Sequence, residues 1–146
     1  MFLFGKELEG YVDGIIHEET QLANTGIDLT VDSVRKPTSP TDLDFGGSEE
    51  KLGDLDPVEP AKRSPEDDYG WWNLEGGIYI IEFNEEINVS EGLGLVVPLN
   101  RMTSGGSFHP PLIFQGDLRE SPVLHVSSSG LNIKENARIS RLMVWT

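Results

Sequence analysis

The feature of this sequence that most constrains its fold is a strict alternation of side chains over residues 25–34. The odd positions from 27 to 31 carry Ile, Leu and Val, and the even positions from 28 to 32 carry Asp, Thr and Asp. Side chains alternate between the two faces of an extended backbone, so this pattern predicts a half-buried β-strand. One row would pack into a core, and the other would offer two carboxylates and a hydroxyl on a polar face.

The second half of the chain contains five more segments with the character of short strands, separated by turn residues. They span residues 77–84, 93–99, 112–115, 122–127 and 137–145. Helical periodicity is almost absent. The exception is one short N-terminal helix predicted over residues 5–13, where Leu8, Tyr11 and Val12 recur at helical spacing. Many short strands and little helix predict an all-β sandwich or distorted barrel.

Length and composition restrict the class of protein. A chain of 146 residues has the size of one ordinary domain, so we expect a single domain over residues 1–146. The absence of cysteine agrees with a reducing compartment. No apolar run approaches the roughly 20 residues of a membrane-spanning helix. We therefore expect a cytoplasmic protein with no membrane partner.

Charge is unevenly distributed along the chain, whose formal net charge is −14. Residues 1–100 hold 6 basic and 22 acidic side chains, whereas residues 101–146 hold 5 basic and 3 acidic ones. Only the last third is suited to an anion. Nucleic acid is excluded as an expected partner, because its binding depends on Lys and Arg. We also hypothesise that so acidic a surface is adapted to high salt.

Residues 36–69 differ from the rest of the chain. They contain five prolines and ten acidic side chains. A long segment of this kind in a small domain is usually functional or disordered. We expect an exposed insertion, and we interpret its Asp54 and Asp56 as solvated acids rather than metal ligands.

Three segments carry a family resemblance. They read Gly26-Ile-Asp-Leu-Thr-Val, Leu74-Glu-Gly-Gly-Ile-Tyr-Ile-Ile-Glu-Phe-Asn-Glu and Gly130-Leu-Asn-Ile-Lys-Glu-Asn-Ala-Arg-Ile-Ser-Arg-Leu-Met-Val-Trp. In content, order and spacing they resemble the dUTPase and dCTP deaminase family, and the sequence is most similar to its short archaeal members. Residues 36–69 fall where family members carry a variable insertion.

The resemblance implies a distorted jelly-roll (β-clip) domain that forms a homotrimer, with each active site built from neighbouring subunits. In the dUTPase branch Mg²⁺ bridges the triphosphate, and a water attacks the α-phosphorus to give dUMP and pyrophosphate. Positioning and charge neutralisation carry most of such a reaction. The expected ligand is a deoxyuridine or deoxycytidine nucleotide.

The first two motifs imply groups at the phosphates. Asp28 occupies the place of the first-motif aspartate, and the resemblance places it near Mg²⁺. The second motif departs from the family pattern, in which Pro is followed by Arg-Ser-Ser. Here Pro98 precedes Leu-Asn-Arg, so Arg101 could reach the same anion from a shifted register, with Asn100 and either Thr103 or Ser104 as hydrogen-bond donors. An arginine at an ordinary strand end remains the alternative.

The third motif lacks its aspartate, which in the family orients the attacking water. Gln115 stands in its place, and an amide cannot accept a proton as a carboxylate does. Asp117 is the candidate replacement, and Arg119 is a second candidate for the phosphates. Phe114, like Phe108, could stack on a base, although aromatic residues in strands commonly belong to the core.

The comparison with the deaminase branch depends on a different residue. Its catalytic glutamate lies in a Val-Leu-Glu-Phe pattern, whereas this chain has His125 after Val-Leu. His125 could act as a general base, or it could be structural. The first hypothesis is therefore a dUTPase-like hydrolase, and the alternative is an inactive family member that serves as a nucleotide-binding or protein-interaction module. Deamination of dCTP ranks behind both.

Overall fold

The computed structural model describes residues 1–146, and most of the regular structure is antiparallel β-sheet. The helices are short: a 3₁₀ helix at Gly5–Tyr11, α1 at Glu18–Gln21 and α2 at Asn100–Thr103. The strands are β1 (Val12–Asp13), β2 (Leu22–Ala23), β3 (Gly26–Pro37), β4 (Leu55–Pro57), β5 (Trp71–Leu74), β6 (Gly77–Phe83), β7 (Glu86–Pro98), β8 (Leu112–Asp117), β9 (Val123–Val126), β10 (Leu131–Lys134) and β11 (Arg138–Trp145). The prediction of an all-β fold with a short N-terminal helix is confirmed, and that helix has 3₁₀ geometry.

One nine-stranded sheet dominates the molecule. Its main order is β1-β7-β11-β3-β6-β9, while β2 and β4 pair with β3, and β8 pairs with β7. A separate two-stranded sheet joins β5 to β10. The long strands β3 and β7 therefore have neighbours along most of their length.

The interior holds two clusters of buried apolar side chains, one of 11 residues and one of 9. Strand β3 contributes to both, with Ile27 and Leu29 in the smaller cluster and Val31 and Val34 in the larger. The apolar row predicted from residues 27–31 therefore faces the core.

The polar row of β3 differs from the prediction. Asp28 and Thr30 are only 3% exposed, and Asp32 alone faces solvent. The prediction of a half-buried strand was wrong for the first part of β3, where residues 26–31 are all buried. The reason is that side chains from other elements cover this face: Arg138 and Arg141 donate to Asp28, and Glu85 accepts hydrogen bonds from the amide and the hydroxyl of Thr30.

Residues 38–69 form an extended connection with mostly exposed side chains. The segment is attached to the body by β4, by a bridge between Ala61 and Trp71, and by a hydrogen bond from Trp72 Nε1 to the Val58 carbonyl at 2.8 Å. The guanidinium of Arg63 lies 3.6 Å from the ring centroid of Trp71. None of the helices in the chain has the length and apolar character needed to span a membrane.

Candidate functional site

A cleft of about 490 Å³ opens where β3, β11 and the end of β7 meet. This volume lies in the range typical of small-molecule sites. Its charged side chains are one carboxylate, Asp28, and three guanidinium groups, those of Arg101, Arg138 and Arg141. The remaining lining comes from Thr25, Val97, Pro98, Leu99, Asn100 and Met143.

Asp28 is held between two of these arginines. Arg138 Nη1 donates to Asp28 Oδ2 at 3.0 Å, and Arg141 Nε donates to Oδ1 at 2.9 Å. Arg138 Nη1 also donates to the Thr20 carbonyl at 3.0 Å. The two arginine side chains remain about one third exposed, at 30% and 31%. The buried acid therefore fixes two cations whose outer edges still face the cleft.

A β-bulge brings the two arginines together. Residues three apart on a regular strand point to opposite faces. The pairing of β11 with β3 shifts register between Arg138 and Ser140, and Arg141 then lies directly opposite Asp28. A bulge adds one residue to one strand of a pair, and this restores Arg138 to the same face.

Gly26 permits this close approach of β3 to β11. A Cβ atom built on Gly26 would collide with the Leu142 carbonyl oxygen and with the Arg141 side chain. Any larger residue at this position would push β11 away or displace the guanidinium. The glycine of the first motif is therefore required by packing at the cleft.

The turn after β7 positions the third arginine. Leu99 and Met102 are buried, and the Leu99 amide donates to the Ile139 carbonyl at 2.8 Å. Burial of these two anchors leaves Asn100 and Arg101 on the outer side of α2, exposed at the cleft. Arg101 makes no hydrogen bond or ion pair within the protein, so its guanidinium is free to bind a ligand.

His109 supports the cleft from inside the protein and was not singled out by the sequence. It is 2% exposed, and its Nε2 lies 2.7 Å from Ser140 Oγ, while Nδ1 lies 2.8 Å from the Pro110 carbonyl. Burial lowers the pKa of His109, and the bond to the carbonyl partly opposes this. The neutral ring, with Nδ1 as donor, links the strand that carries Arg141 to the segment before β8.

The structure brings together three of the sequence-predicted residues: Asp28, Asn100 and Arg101 all line the cleft. Arg138 and Arg141 were missed as site residues. A signal was present, because two cations interrupt the apolar row of the last strand. Strand periodicity alone could not place them on one face, since that depends on the bulge.

The other predicted residues lie outside the cleft of the same chain. Asp117 is exposed in β8, and its pairing with Asn88 places it at the end of β7 opposite to Pro98. Gln115 is exposed on the same strand, and Arg119 forms a loose surface pair with Asp117 at 3.7 Å. The hydroxyl of Ser104 donates to the Asn100 carbonyl at 2.7 Å.

The aromatic and histidine candidates are engaged with other protein groups. Phe114 packs over Gly94, so closely that no Cβ would fit there. His125 stacks on Phe108, with ring centroids 5.0 Å apart and planes 6° from parallel. Packing within the fold therefore explains the positions of Phe114 and His125.

Comparison of the sequence with known proteins finds archaeal relatives that share one name. A protein named probable deoxyuridine 5'-triphosphate nucleotidohydrolase from Methanosarcina acetivorans is 30% identical over 139 residues, which cover 92% of this chain and 78% of that protein. Proteins of the same name from Methanosarcina mazei and Halobacterium salinarum are each 28% identical, over 92% and 88% of this chain and 78% and 77% of their own length. No protein-family model matches the chain.

The fold is similar to a solved one. The crystal structure of 2'-deoxycytidine 5'-triphosphate deaminase from Agrobacterium tumefaciens superposes with a TM-score of 0.59 at 11% identity, covering 92% of this chain and 42% of that one. This confirms the predicted jelly-roll type of fold. The relative that is 30% identical shows that the chain belongs to the dUTPase and dCTP deaminase family.

Proposed function

We propose that the chain is a dUTPase-like deoxynucleoside triphosphate hydrolase that converts dUTP to dUMP and pyrophosphate. The observation that carries this proposal is the convergence of three guanidinium groups on one cleft in a protein of net charge −14. Guanidinium groups are well suited to phosphate oxygens. The names of the relatives support the choice of dUTP.

The arginines would act on the charge that moves during the reaction. Water attacks the α-phosphorus, its proton passes to a carboxylate, and the bond from the α-phosphorus to the bridging oxygen breaks. The electron pair of that bond stays on the leaving pyrophosphate. Positive groups fixed in advance stabilise this charge without reorganising, and Asp28 fixes two of them.

The carboxylate that orients the water has to come from outside the cleft as one chain forms it. Asp28 is the single acid in the lining, and both of its oxygens already accept from arginines. We therefore propose a homotrimer in which Asp117 of one subunit, beside Gln115 and Arg119, faces the cleft of its neighbour. Exposed apolar side chains offer a surface for such an assembly: Phe2, Leu93, Ile113 and Trp145.

Mg²⁺ is the ion that the resemblance implies. Protein sites for Mg²⁺ usually provide one or two free carboxylates beside the substrate phosphates. The cleft as one chain forms it has no free carboxylate, and nowhere in the chain do three or more His, Asp or Glu side chains cluster in a way that could hold a metal ion. The Asp117 carboxylate proposed to come from the neighbour is assigned to the water. The residues present therefore do not fit a metal held by the protein, and no step of the proposed reaction is assigned to one.

The primary test is release of pyrophosphate from dUTP, with dCTP as the competing substrate, at low and at molar KCl. Arg101→Gln should reduce kcat/KM by roughly a hundredfold, because it removes one of the three cationic donors at the developing charge. Arg63→Gln is the matched control, since it removes the same charge from the insertion. Equal activity in both variants would contradict the assignment of the cleft.

A shared site can be tested by complementation. Arg101→Gln and Asp117→Asn are each expected to be strongly impaired alone. When the two variants are refolded together, about a quarter of the sites in random trimers should combine an intact Arg101 with an intact Asp117. Mixtures that stay as impaired as the single variants would contradict a site shared between subunits.

The second candidate is a family member without catalysis that binds nucleotides or another protein. Two observations favour it: Gln115 replaces the water-orienting aspartate, and no free acid lies in the cleft. Binding of dUTP without turnover, detected as a rise in Tm because a ligand of the native state stabilises it, would select this candidate. Production of dUTP from dCTP would instead select the deaminase. We place either activity in the cytoplasm, on small nucleotides and not on nucleic acid.

A further inference from the structure

The charges of the cleft do not balance. Within one chain, one carboxylate faces three guanidinium groups, which leaves a surplus of two positive charges. Asp117 and Arg119 of a neighbouring subunit carry opposite charges and would not change this surplus. The rest of the chain is strongly acidic, so this surplus is a local feature of β11 and α2. Such a site favours a ligand that retains as much negative charge as possible.

The hydrogen-bond donors of the cleft are also suited to an anion. Arg141 uses only Nε on Asp28, so both of its terminal nitrogens are free of protein partners. Arg138 uses only Nη1, and Arg101 uses none of its nitrogens. Free N–H groups of three arginines therefore surround a cleft to which the same chain contributes no free carboxylate oxygen.

The positive surplus and the free N–H groups both bear on whether the nucleotide binds with or without a metal ion. A divalent cation bound to the phosphates would cancel part of their charge and would add a further positive charge beside three guanidinium groups. Like charges in a partly buried site repel strongly. The site itself supplies the neutralisation that a metal supplies elsewhere.

We propose that the guanidinium groups of Arg101, Arg138 and Arg141 take the place of a divalent cation at the phosphates, so that the metal-free nucleotide is the form this cleft binds. The proposal rests on the proposed nucleotide cleft and specifies how that cleft recognises its ligand. Arg141 is the central group, because Asp28 holds it through Nε while its two terminal nitrogens have no protein partner and its side chain lines the cleft.

The test compares affinities by calorimetry with and without metal. The probes are α,β-imido-dUTP, which is not hydrolysed between the α- and β-phosphorus, and inorganic tripolyphosphate, which has no base or sugar. Each is titrated in EDTA and in excess MgCl₂. The wild-type protein should bind both probes in EDTA at least as tightly as in MgCl₂.

Arg141→Gln should weaken binding in EDTA by about tenfold or more, the usual effect of losing one charged hydrogen bond. The loss in MgCl₂ should be smaller, since the metal then compensates for the missing charge. Arg63→Gln is the control of equal charge, and its affinities should match those of the wild type in both conditions. Circular dichroism of each variant verifies the fold.

The outcomes separate this inference from the proposed function. Wild-type binding that is tenfold or more tighter in MgCl₂ would overturn the inference, while dUTP hydrolysis could still be observed. Metal-free binding of tripolyphosphate that depends on Arg141 would support the inference even if dUTP were never hydrolysed. Absence of binding by both probes in both conditions would overturn it as well, because the cleft would then be no phosphate site.

Discussion

Asp28 has a different role from that of a free ligand at the edge of a strand. It is almost fully buried, and each of its oxygens accepts a hydrogen bond from an arginine. A buried carboxylate is tolerated when it is paired in this way. The residue is therefore better described as the anchor of two cations than as an open acid, and its proximity to a metal stays a prediction.

Replacement of this anchor should be costly. Asp28→Asn keeps the size of the side chain but leaves two arginines without their counter-ion. We expect a loss of about 1–3 kcal/mol in the free energy of unfolding, less than for a fully buried pair because the arginines are partly exposed. Urea denaturation measures this value.

Asp117→Asn provides the comparison, since its pair with Arg119 is exposed and 3.7 Å long. We expect a change within about 0.5 kcal/mol. Equal losses in the two variants would show that the Asp28 pairs do not stabilise the native state.

His109 should make stability depend on pH. Its pKa in the folded state is lowered by burial, so below the ordinary histidine pKa the unfolded chain binds the proton more readily than the folded one. The stability present above about pH 6.5 is therefore lost progressively as the pH falls. His109→Gln should lose less Tm than the wild type between pH 7.5 and pH 5.5.

His17→Asn serves as the control for this pH effect. His17 is exposed and accepts a hydrogen bond from the Thr20 amide as the N-cap of α1, a role that asparagine also fulfils. Its Tm should fall with pH as steeply as that of the wild type. If His109→Gln shows the same slope as well, the buried histidine does not cause the dependence.

At the level of elements, the predicted strands match β6, β8, β9 and β11 closely, because each combines alternation with flanking turn residues. Other elements carried weaker signals. Strand β7 begins at Glu86, seven residues before the predicted segment, and the pair β5–β10 was not predicted. The arginine pair of the cleft depends on a change in register, and single-strand periodicity contains no information about register.

The contact between β7 and β8 can be tested directly. Gly94 lies under the ring of Phe114, where an added Cβ would overlap the ring atoms. Gly94→Ala should therefore destabilise the protein by about 1–3 kcal/mol through overpacking. Combining it with Phe114→Leu should recover part of that loss, and a double-mutant cycle gives the coupling.

The matched control is Gly105→Ala, where the nearest atom to an added Cβ is a carbonyl oxygen at 3.4 Å. If the losses of stability in Gly94→Ala and Phe114→Leu are additive, the position of the Phe114 ring does not depend on a glycine at position 94.

For the molecule as a whole, the proposed trimer requires a surface, and one apolar patch is available. Ile113 is 68% exposed, and Phe2 packs edge-on against Trp145 beside it, with ring centroids 4.9 Å apart. Ile113→Glu should dissociate the assembly, as measured by light scattering. Phe45→Glu places the same change on a fully exposed side chain of the insertion and should leave the mass unchanged.

The net charge of −14 leads to an expectation about salt. Repulsion among like charges destabilises a compact chain, and ions screen it. If the surface is adapted to high salt, Tm should rise steadily from low to molar KCl. A Tm that is independent of KCl would contradict the hypothesis, and a neutral osmolyte at equal osmolality controls for solvent exclusion.

Strand β3 passes through both apolar clusters, and the buried Thr30 separates the residues that it contributes to each. Because both apolar clusters include residues of β3, unfolding of one cluster would displace a strand that the other cluster requires. Neither cluster should therefore unfold separately. We expect a single cooperative transition by heat, with the cleft lost at the same temperature as the hydrophobic interior. Local motions that open the ligand site without unfolding would then have to arise in the turn after β7, which contributes Leu99, Asn100 and Arg101 to the wall from outside the sheet.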